Sequence, residues 1–142
     1  MAATFRLVYL LLGILDPFIR LWYSTYGLGN VVELLVPGRR SGQPRSTLLG
    51  LLLVGDTWYI GHPNGATDWT RNLDAAVGSA ELRWRGPDRL PIHAVRLEPG
   101  EERERAILAT DQHPFPGGLV YRLGRAHVRA AGVYYRLDPS RG

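Results

Sequence analysis

Short segments rich in apolar residues follow one another along most of this chain, and Gly, Pro, Asn and Asp separate them, a pattern typical of β-strands. The segments with this pattern are Val31 to Val36, Arg45 to Val54, Thr57 to Gly61, Ser79 to Arg85, Leu90 to Leu97 and Ala131 to Leu137. In the last of them, Ala131, Val133, Tyr135 and Leu137 share one face. Gly55-Asp56 predicts a tight hairpin turn between two of the segments. The pattern therefore predicts about six mainly antiparallel strands.

Three other segments depart from the strand pattern. Asp68 caps a predicted helix that continues to Ala76, because a carboxylate accepts hydrogen bonds from the free N–H groups of a first turn. Pro99 to Asp111 opens with Pro-Gly and a cluster of glutamates and then becomes apolar, as a helix start does. Leu119 to Val128 is ambiguous, and Gly86 to Asp88 and Pro114 to Gly118 predict a turn and a loop. Strands with about two or three helices predict an α+β domain, built as a small barrel or an open sheet.

Residues 1–28 are predicted to form a helical segment of their own. The apolar run from Leu7 to Leu15 is shorter than the roughly 20 residues that a membrane-spanning helix needs. A secretory signal is a weaker interpretation, because no small-x-small cleavage motif follows the run. We expect a surface helix, broken at Pro17 and ended by Gly27 and Gly29. Such a helix packs on its own domain or dimer, covers an opening of the sheet, or rests on a membrane interface.

The composition excludes several classes of chemistry. The chain has 142 residues, the length of one domain, and no cysteine, so disulfides, thiolate catalysis and cysteine-held metal sites are excluded. All 17 basic residues are arginines, which excludes a Schiff-base lysine and a P-loop lysine. Each guanidinium suits a bidentate grip on phosphate or carboxylate. The net charge of +4 is too small to indicate nucleic acid, which we do not expect as a partner.

The same features favour a cytoplasmic location. A chain without cysteine is compatible with a reducing compartment. Any membrane contact of the N-terminal helix is then peripheral and on the inner face of the membrane. Liposome flotation of the full chain and of a chain lacking residues 1–26 would test that contact.

Pro37 to Arg45 joins two predicted strands and has the composition of an anion-binding turn. Two glycines bracket two arginines and a serine, and another arginine follows. Glycine lets the backbone expose N–H groups, while arginine and serine supply charge and a hydroxyl. An ordinary polar hairpin loop is an equally open alternative. A second glycine-containing loop, His62 to Thr67, precedes the helix at Asp68, and two such loops at the ends of adjacent strands could hold the two ends of one cofactor.

These two loops carry a resemblance to a known family. The stretch GRRSGQPRST (38–47) resembles the G-R-K-S/T-G-x-x-R stretch of the deazaflavin-dependent nitroreductase family. The stretch YIGHPNGATDWTRNLDAA (59–76) resembles that family's strand, glycine-containing loop and W-x-x-N-L-x-A helix. The order of the motifs and the spacing between them also match. The likeness runs from about Val31 through Trp84 and more loosely to Leu137.

The resemblance implies an α+β split β-barrel, related to the FMN-binding split barrels and usually homodimeric, with an N-terminal helix and two or three short helices. Residues 29–142 would be its cofactor-binding domain. Family members use the reduced deazaflavin coenzyme F420 to reduce quinones or nitro compounds. FMN is the second choice of cofactor. The alternative is a non-catalytic protein of the same fold that binds flavin, haem or fatty acid.

Carried over by position, the resemblance implies two groups of cofactor-binding residues. The phosphate end of the coenzyme would face Gly38, Arg39, Arg40, Ser41, Gly42 and Arg45. The ring system would face His62, Pro63, Asn64 and Trp69. The chain departs from the family at Arg40, which stands for lysine, at Leu48 and Gly50, which stand for proline and an aromatic residue, and at His62-Pro63.

Hydride transfer from such a coenzyme needs no protein nucleophile, in agreement with a chain that lacks cysteine and lysine. A tyrosine near the C-terminal strand could donate the proton that completes reduction, and Tyr121 and Tyr134 are the candidates, with Tyr135 beside them. Strand packing is the alternative role for Tyr134 and Tyr135. None of the histidines falls at a metal-ligand spacing, so no metal site is predicted, although His62 as a haem ligand stays open. On a helix, Arg122, Arg125 and Arg129 would share one face, either solvated or in contact with an anion.

Overall fold

The computed structural model describes residues 2–7, 31–84, 88–113 and 117–140 of the chain. The predicted helix break at Pro17, its end at Gly27 and Gly29, the Gly86-Pro87 part of the predicted turn, and residues 114–116 lie outside these ranges. The division between residues 28 and 29 therefore stays a prediction. Residues 2–7 are helical and form α1.

Strands dominate the described part of the chain, where seven of them form one antiparallel sheet. They are β1 (Val31–Pro37), β2 (Pro44–Gly50), β3 (Leu52–Val54), β4 (Thr57–His62), β5 (Ser79–Arg83), β6 (Leu90–Arg96) and β7 (Val133–Pro139). The sequence predicted about six strands. The difference arises at Leu51, where the segment predicted as Arg45 to Val54 divides into β2 and β3, which pair with different neighbours.

The order of the strands makes the sheet curl into a barrel. The order is β2-β1-β5-β6-β7-β4-β3, so β2 and β3 lie at its two opposite ends. Only Leu51 separates these two strands along the chain. One residue spans at most about 3.6 Å, and the two edges of the sheet must therefore come together. The result is the expected α+β split β-barrel.

Two hairpins fix the register near the candidate site. β1 and β2 pair from Val31 opposite Gly50 to Pro37 opposite Pro44, which leaves residues 38–43 as the connecting turn. β3 and β4 pair up to Val54 opposite Thr57. Gly55 between them has a φ of +60°, as the first residue of a tight hairpin turn requires. The hairpin turn predicted at Gly55-Asp56 is therefore confirmed.

Four further helical segments lie on the sheet: α2 (Asp68–Ala75), α3 (Glu101–Leu108) with a 3₁₀ turn at Ala109–Gln112, α4 (Gly117–Leu123) and α5 (Arg125–Ala131). The predicted cap at Asp68 is wrong, because Thr67 is the capping residue and Asp68 begins the first turn. The backbone N–H of Thr67 donates to Oγ1 of Thr70 at 2.7 Å, which fixes this start. The ambiguous segment Leu119 to Val128 consists of parts of two helices that meet at Gly124. Ala131 ends α5, so it does not share the strand face predicted for it.

Apolar residues form two separate cores, one inside the barrel and one beneath the helices. The inner core includes Val32, Leu34, Ile60, Trp69, Leu73, Leu82, Tyr135 and Leu137. The outer core includes Phe5, Leu52, Tyr59, Ile107, Tyr121, Val128 and Tyr134. β7 separates the two cores, because successive side chains of a strand point to opposite faces.

Gln112 protects the exposed edge of β3. Its side-chain amide accepts a hydrogen bond from the N–H of Leu53 at 2.9 Å and donates one to the carbonyl oxygen of Leu53 at 2.6 Å. One side chain thus makes the pair of hydrogen bonds that a neighbouring strand would make. Covering an edge in this way prevents its pairing with another chain.

The close contact between β4 and β7 depends on a glycine. Gly61 lies directly opposite Tyr134, and a Cβ added at Gly61 would overlap the Tyr134 ring. We therefore expect Gly61→Ala to lower the free energy of unfolding by about 1–3 kcal/mol, the usual cost of overpacking. Chemical denaturation would measure the change. The same substitution should cost much less in a Tyr134→Leu background, and an equal cost in both backgrounds would contradict this explanation.

Candidate functional site

The turn between β1 and β2 is closed by hydrogen bonds of its own backbone. The N–H of Gly38 donates to the carbonyl of Gln43 at 2.8 Å, and the N–H of Gly42 donates to the carbonyl of Gly38 at 2.8 Å. Gly42 has a φ of +72°, a conformation that favours glycine. Within the described residues, the N–H groups of Arg40 and Ser41 have no acceptor. The turn therefore offers two adjacent free backbone donors to a ligand.

Arg39 binds α2 and does not point freely into solvent. Its backbone N–H and its Nη1 both donate to Oδ1 of Asn72, at 3.1 and 2.8 Å. Nη1 also donates to the carbonyl of Asp68 at 3.4 Å, and Nη2 forms an ion pair with the Asp68 carboxylate at 3.3 Å. Only 26% of the Arg39 side chain is exposed. These contacts hold the turn against the helix that follows the second loop.

The positive charge available at this turn comes from Arg40 and Arg45. Both are exposed, and neither makes an ion pair with a described residue. Arg71 on the solvent face of α2 is also exposed and without an ion pair in the described ranges, and the sequence analysis did not single it out. Several other arginines have carboxylate partners, at Asp74, Glu33, Asp111, Glu104 and Glu102. The unpaired charge therefore includes a group at the β1–β2 turn and the adjacent helix.

The second loop, His62 to Thr67, is not placed beside the first loop by neighbouring strands, as the sequence had suggested. β4, which precedes this loop, pairs with β3 and β7 and not with β1 or β2. The prediction that the two loops follow adjacent strands is therefore wrong. The connection between them is α2, which begins directly after the second loop and binds Arg39 of the first. The strands that carry the two loops lie apart in the barrel, and α2 is the element that joins the loops.

His62, Pro63 and Asn64 lie at the end of β4. Pro63 is buried, and His62 and Asn64 are half-buried. The backbone N–H of Asn64 donates to Nδ1 of His62 at 3.2 Å. Oδ1 of Asn64 lies 2.7 Å from Nε2 of His127 on α5. The loop is thus fixed between the end of the barrel and the outer helices.

Trp69 lies in the inner core, with 8% of its surface exposed. Its indole ring lies 6.0 Å from the ring of Tyr135, centroid to centroid. Trp69 is thereby part of the packing that holds α2 on the barrel. Its predicted contact with a cofactor ring stays a prediction.

The predicted proton donors Tyr121 and Tyr134 are both in the outer core. Tyr121 is 6% exposed and stacks on His113 at 4.8 Å, with Phe5 edge-on at 5.2 Å. Tyr134 is 1% exposed, on the face of β7 opposite to Tyr135. The turn at residues 38–43 binds α2, whose buried side chains Trp69 and Leu73 belong to the inner core. The two tyrosines therefore lie in the outer core, while the helix that anchors the turn packs on the inner core.

Near the C-terminal end of α2, Tyr135 forms a polar cluster with Asp74 of α2 and Arg96 of β6. Its hydroxyl donates to Oδ1 of Asp74 at 2.8 Å, and Nη1 of Arg96 donates to Oδ2 of the same carboxylate at 2.9 Å. Burial, together with the Asp74 carboxylate, raises the pKa of Tyr135 well above its ordinary value. A hydroxyl that holds its proton so tightly is a poor acid at neutral pH. An open groove of about 290 Å³ lies beside this cluster, lined also by Val77 and His93.

The arginines of the C-terminal helices are paired with acidic residues. Arg122 and Arg125 both contact Asp111, at 3.6 and 2.8 Å. Arg129 forms an ion pair with Glu104 at 2.7 Å. Gly124 separates Arg122 on α4 from the other two on α5, so the three do not share one helix. Pairing with carboxylates favours a structural role for them over contact with an anionic ligand.

None of the helices in the described part of the chain has the length and apolar character that crossing a bilayer requires. In the same residues, no three acidic or histidine side chains are grouped closely enough to hold a metal ion. Contact of the N-terminal segment with a membrane surface stays a prediction, because residues 8–30 lie outside the described ranges.

No protein-family model and no curated protein sequence matches the chain. Solved structures match it at low identity. An F420-H2 dependent reductase, FDR-A, superposes with a TM-score of 0.56 at 19% identity, covering 77% of this chain and 94% of its own. HutZ, a haem storage protein from Vibrio cholerae, reaches a TM-score of 0.60 at 13% identity, covering 90% and 92%. A protein solved as a domain-swapped dimer reaches 0.58 at 17% identity, covering 88% and 96%.

These likenesses show the split-barrel fold. Proteins as different as a reductase and a haem storage protein share it with this chain. A fold that carries different functions does not identify the ligand, which has to be argued from the site.

Acid should destabilise the end of the barrel through His62. Burial lowers the pKa of His62 from 6.5 to about 4. The unfolded chain therefore takes up a proton at a higher pH than the folded protein does. The contribution of His62 to the free energy of unfolding should be level well above pH 6.5 and fall as the pH drops through 6.5 towards 4. Denaturation curves over this pH range would measure the slope.

The variant His62→Gln should reduce this slope. A residual slope is expected from His113, because burial lowers its pKa as well. His93→Gln is the matched control, since it makes the same substitution at an exposed histidine away from the end of β4. An undiminished slope in His62→Gln would mean that this imidazole is not shielded from water in the folded protein.

Proposed function

We propose that this protein is an oxidoreductase that uses the reduced deazaflavin coenzyme F420 to transfer a hydride to a small lipophilic acceptor, such as a quinone or a nitro compound. FMN is the second choice of cofactor. The observation that carries the proposal is the β1–β2 turn, with two free backbone donors flanked by two unpaired guanidinium groups.

The turn fits an anionic coenzyme tail. The N–H groups of Arg40 and Ser41 are adjacent, and successive backbone N–H groups of this kind bind phosphate oxygens. Arg40 and Arg45 add charge that no described carboxylate neutralises. Because a bound phosphate would not have to displace an existing ion pair, its attraction to these residues is not offset.

The resemblance in the loop sequences supports the same choice of ligand. Hydrogen bonds between Arg39 and Asn72 join the turn sequence GRRSGQPRST to the W-x-x-N-L helix. The fold is one that an F420-H2 dependent reductase shares. Both motifs thus occur in one structural unit, as a common role in holding one coenzyme requires.

In the proposed reaction, Arg40 and Arg45 would hold the anionic tail of a reduced deazaflavin, which would supply the hydride and be oxidised. The acceptor gains this hydride and needs one proton to complete its reduction. Tyr121 and Tyr134 remain the proposed donors of that proton, although their burial requires that the acceptor or a water reach the outer core. Tyr135 is a poorer candidate, since the Asp74 carboxylate holds its proton.

A non-catalytic carrier of flavin, haem or fatty acid is the second candidate. Two observations favour it: the candidate proton donors lie in the outer core, whereas the helix that anchors the turn packs on the inner core, and a haem storage protein shares the fold. We also propose that the protein is a homodimer, with support from the likeness to a domain-swapped dimer.

Titration of the purified protein with F420, FMN and haem distinguishes these functions. We expect F420 to bind at micromolar concentrations and the loaded protein to reduce menadione steadily. Binding of F420 without turnover would favour the carrier, and haem binding in its place would identify a different ligand. Absence of binding by F420 and FMN would rule out the oxidoreductase.

The double variant Arg40→Ala with Arg45→Ala should weaken coenzyme binding at least tenfold. Charge-assisted hydrogen bonds contribute about 1.5–3 kcal/mol each, and about 1.4 kcal/mol corresponds to a tenfold change in affinity. Fluorescence titration would give the dissociation constants. Arg89→Ala is the control, because Arg89 is exposed and precedes β6 at the opposite end of the sheet. An unchanged constant in the double variant would exclude the turn as the phosphate site.

A further inference from the structure

The turn and α2 are joined by one buried amide. Asn72 is 7% exposed, and its Oδ1 accepts both the backbone N–H and the Nη1 group of Arg39. Asp68 contacts the same guanidinium, but 85% of its side chain is exposed, and exposed ion pairs contribute little. The contact that fixes Arg39 is therefore the one to Asn72.

Arg39 is largely committed by these contacts. Its Nη1 group donates to Asn72 and to the Asp68 carbonyl, and its Nη2 group contacts the Asp68 carboxylate. A ligand phosphate would have to displace these bonds before it could bind both Nη1 and Nη2 of the guanidinium. Arg39 is accordingly a poorer phosphate ligand than Arg40 or Arg45, although the sequence alone gives all three the same role.

The bond to the backbone of Arg39 also orients the residues that follow it. The N–H groups available to an anion belong to Arg40 and Ser41, the next two residues along the chain. A fixed peptide plane at Arg39 restricts the directions of these two groups. A site with fixed donors binds more tightly, because less conformational freedom is lost when the ligand arrives.

We propose that Asn72 is a positioning residue of the anion site: it holds Arg39 so that Arg40, Ser41 and Arg45 meet a phosphate group in a fixed geometry. This inference rests on the proposed function. It divides the arginines of the turn into one that anchors the turn and two that bind the ligand.

The variant Asn72→Leu tests the inference. Leucine removes the acceptor at similar size and has a high helix propensity, so α2 should remain folded, which circular dichroism and the thermal midpoint would check. The ligands are F420 and its deazaflavin core without the phosphate. We expect affinity for F420 to fall roughly tenfold, as after loss of a charge-assisted hydrogen bond, with affinity for the core unchanged. In turnover, KM for F420 should rise while kcat at saturation stays the same.

Asp74→Asn is the matched control on the same helix. Asp74 lies on the other flank of α2, where it contacts Arg96 and Tyr135 and not the turn. This variant disturbs the polar contacts of α2 to a similar degree, yet it should leave the affinity for F420 unchanged.

Other outcomes would overturn the inference. An equal loss of affinity for F420 and for its core in Asn72→Leu would show that Asn72 only supports the fold. An unchanged affinity for F420 would show that the turn needs no anchor. A titration with inorganic phosphate separates this inference from the proposed function. Binding would be monitored through the backbone amide NMR signals of Arg40 and Ser41.

If the wild-type protein binds phosphate at these amides but not F420, the proposed function falls and the phosphate affinity of Asn72→Leu decides the role of Asn72. A weaker phosphate affinity in the variant would then support the inference, and an equal one would overturn it. If the wild-type protein binds neither ligand, both the function and the inference fall.

Discussion

The constraint on which this structure depends is the single residue, Leu51, between β2 and β3. These strands lie at the two ends of the strand order, so the chain closes the sheet on itself. Closure creates an interior that Leu34, Ile60 and Leu82 fill. It also leaves one face of β4 and β7 outside the barrel, where the helices cover it. The two cores thus follow from one covalent connection, because a curled sheet has an inner and an outer face that both need burial.

The arginines of the β1–β2 turn differ in their ion pairs from those of the C-terminal helices. Carboxylates pair with Arg122, Arg125 and Arg129 of the outer helices, while Arg40 and Arg45 lack such partners within the described residues. Net charge alone would not reveal this difference, since +4 is spread over the whole chain. In the proposed function, the unpaired guanidinium groups at the turn attract the anionic part of the ligand.

Residue order was sufficient for most of the strand positions, for the Gly55-Asp56 hairpin and for the turn between β1 and β2, but not for the division at Leu51. Sequence reasoning failed where a neighbour in space decides the outcome. The cap at Thr67 is a different case, because the side chain of Thr70, only three residues away, accepts the N–H of Thr67, and the sequence contains this local signal. Arg39 and Arg40 look alike in the sequence, but only Arg39 is within reach of Asn72, which lies 33 positions along the chain. No local pattern carries that information.

By itself, the sequence determined the alternation of apolar and polar positions, the glycines that permit tight turns, and the absence of cysteine and lysine. These features are local, since backbone sterics and side-chain chemistry act within a few residues. Only the tertiary structure decided that the two loops meet through α2 rather than through neighbouring strands. It also decided that Tyr134 and Tyr135 belong to different cores. Such relations arise from the closure of the sheet, which brings together residues that are distant in the chain.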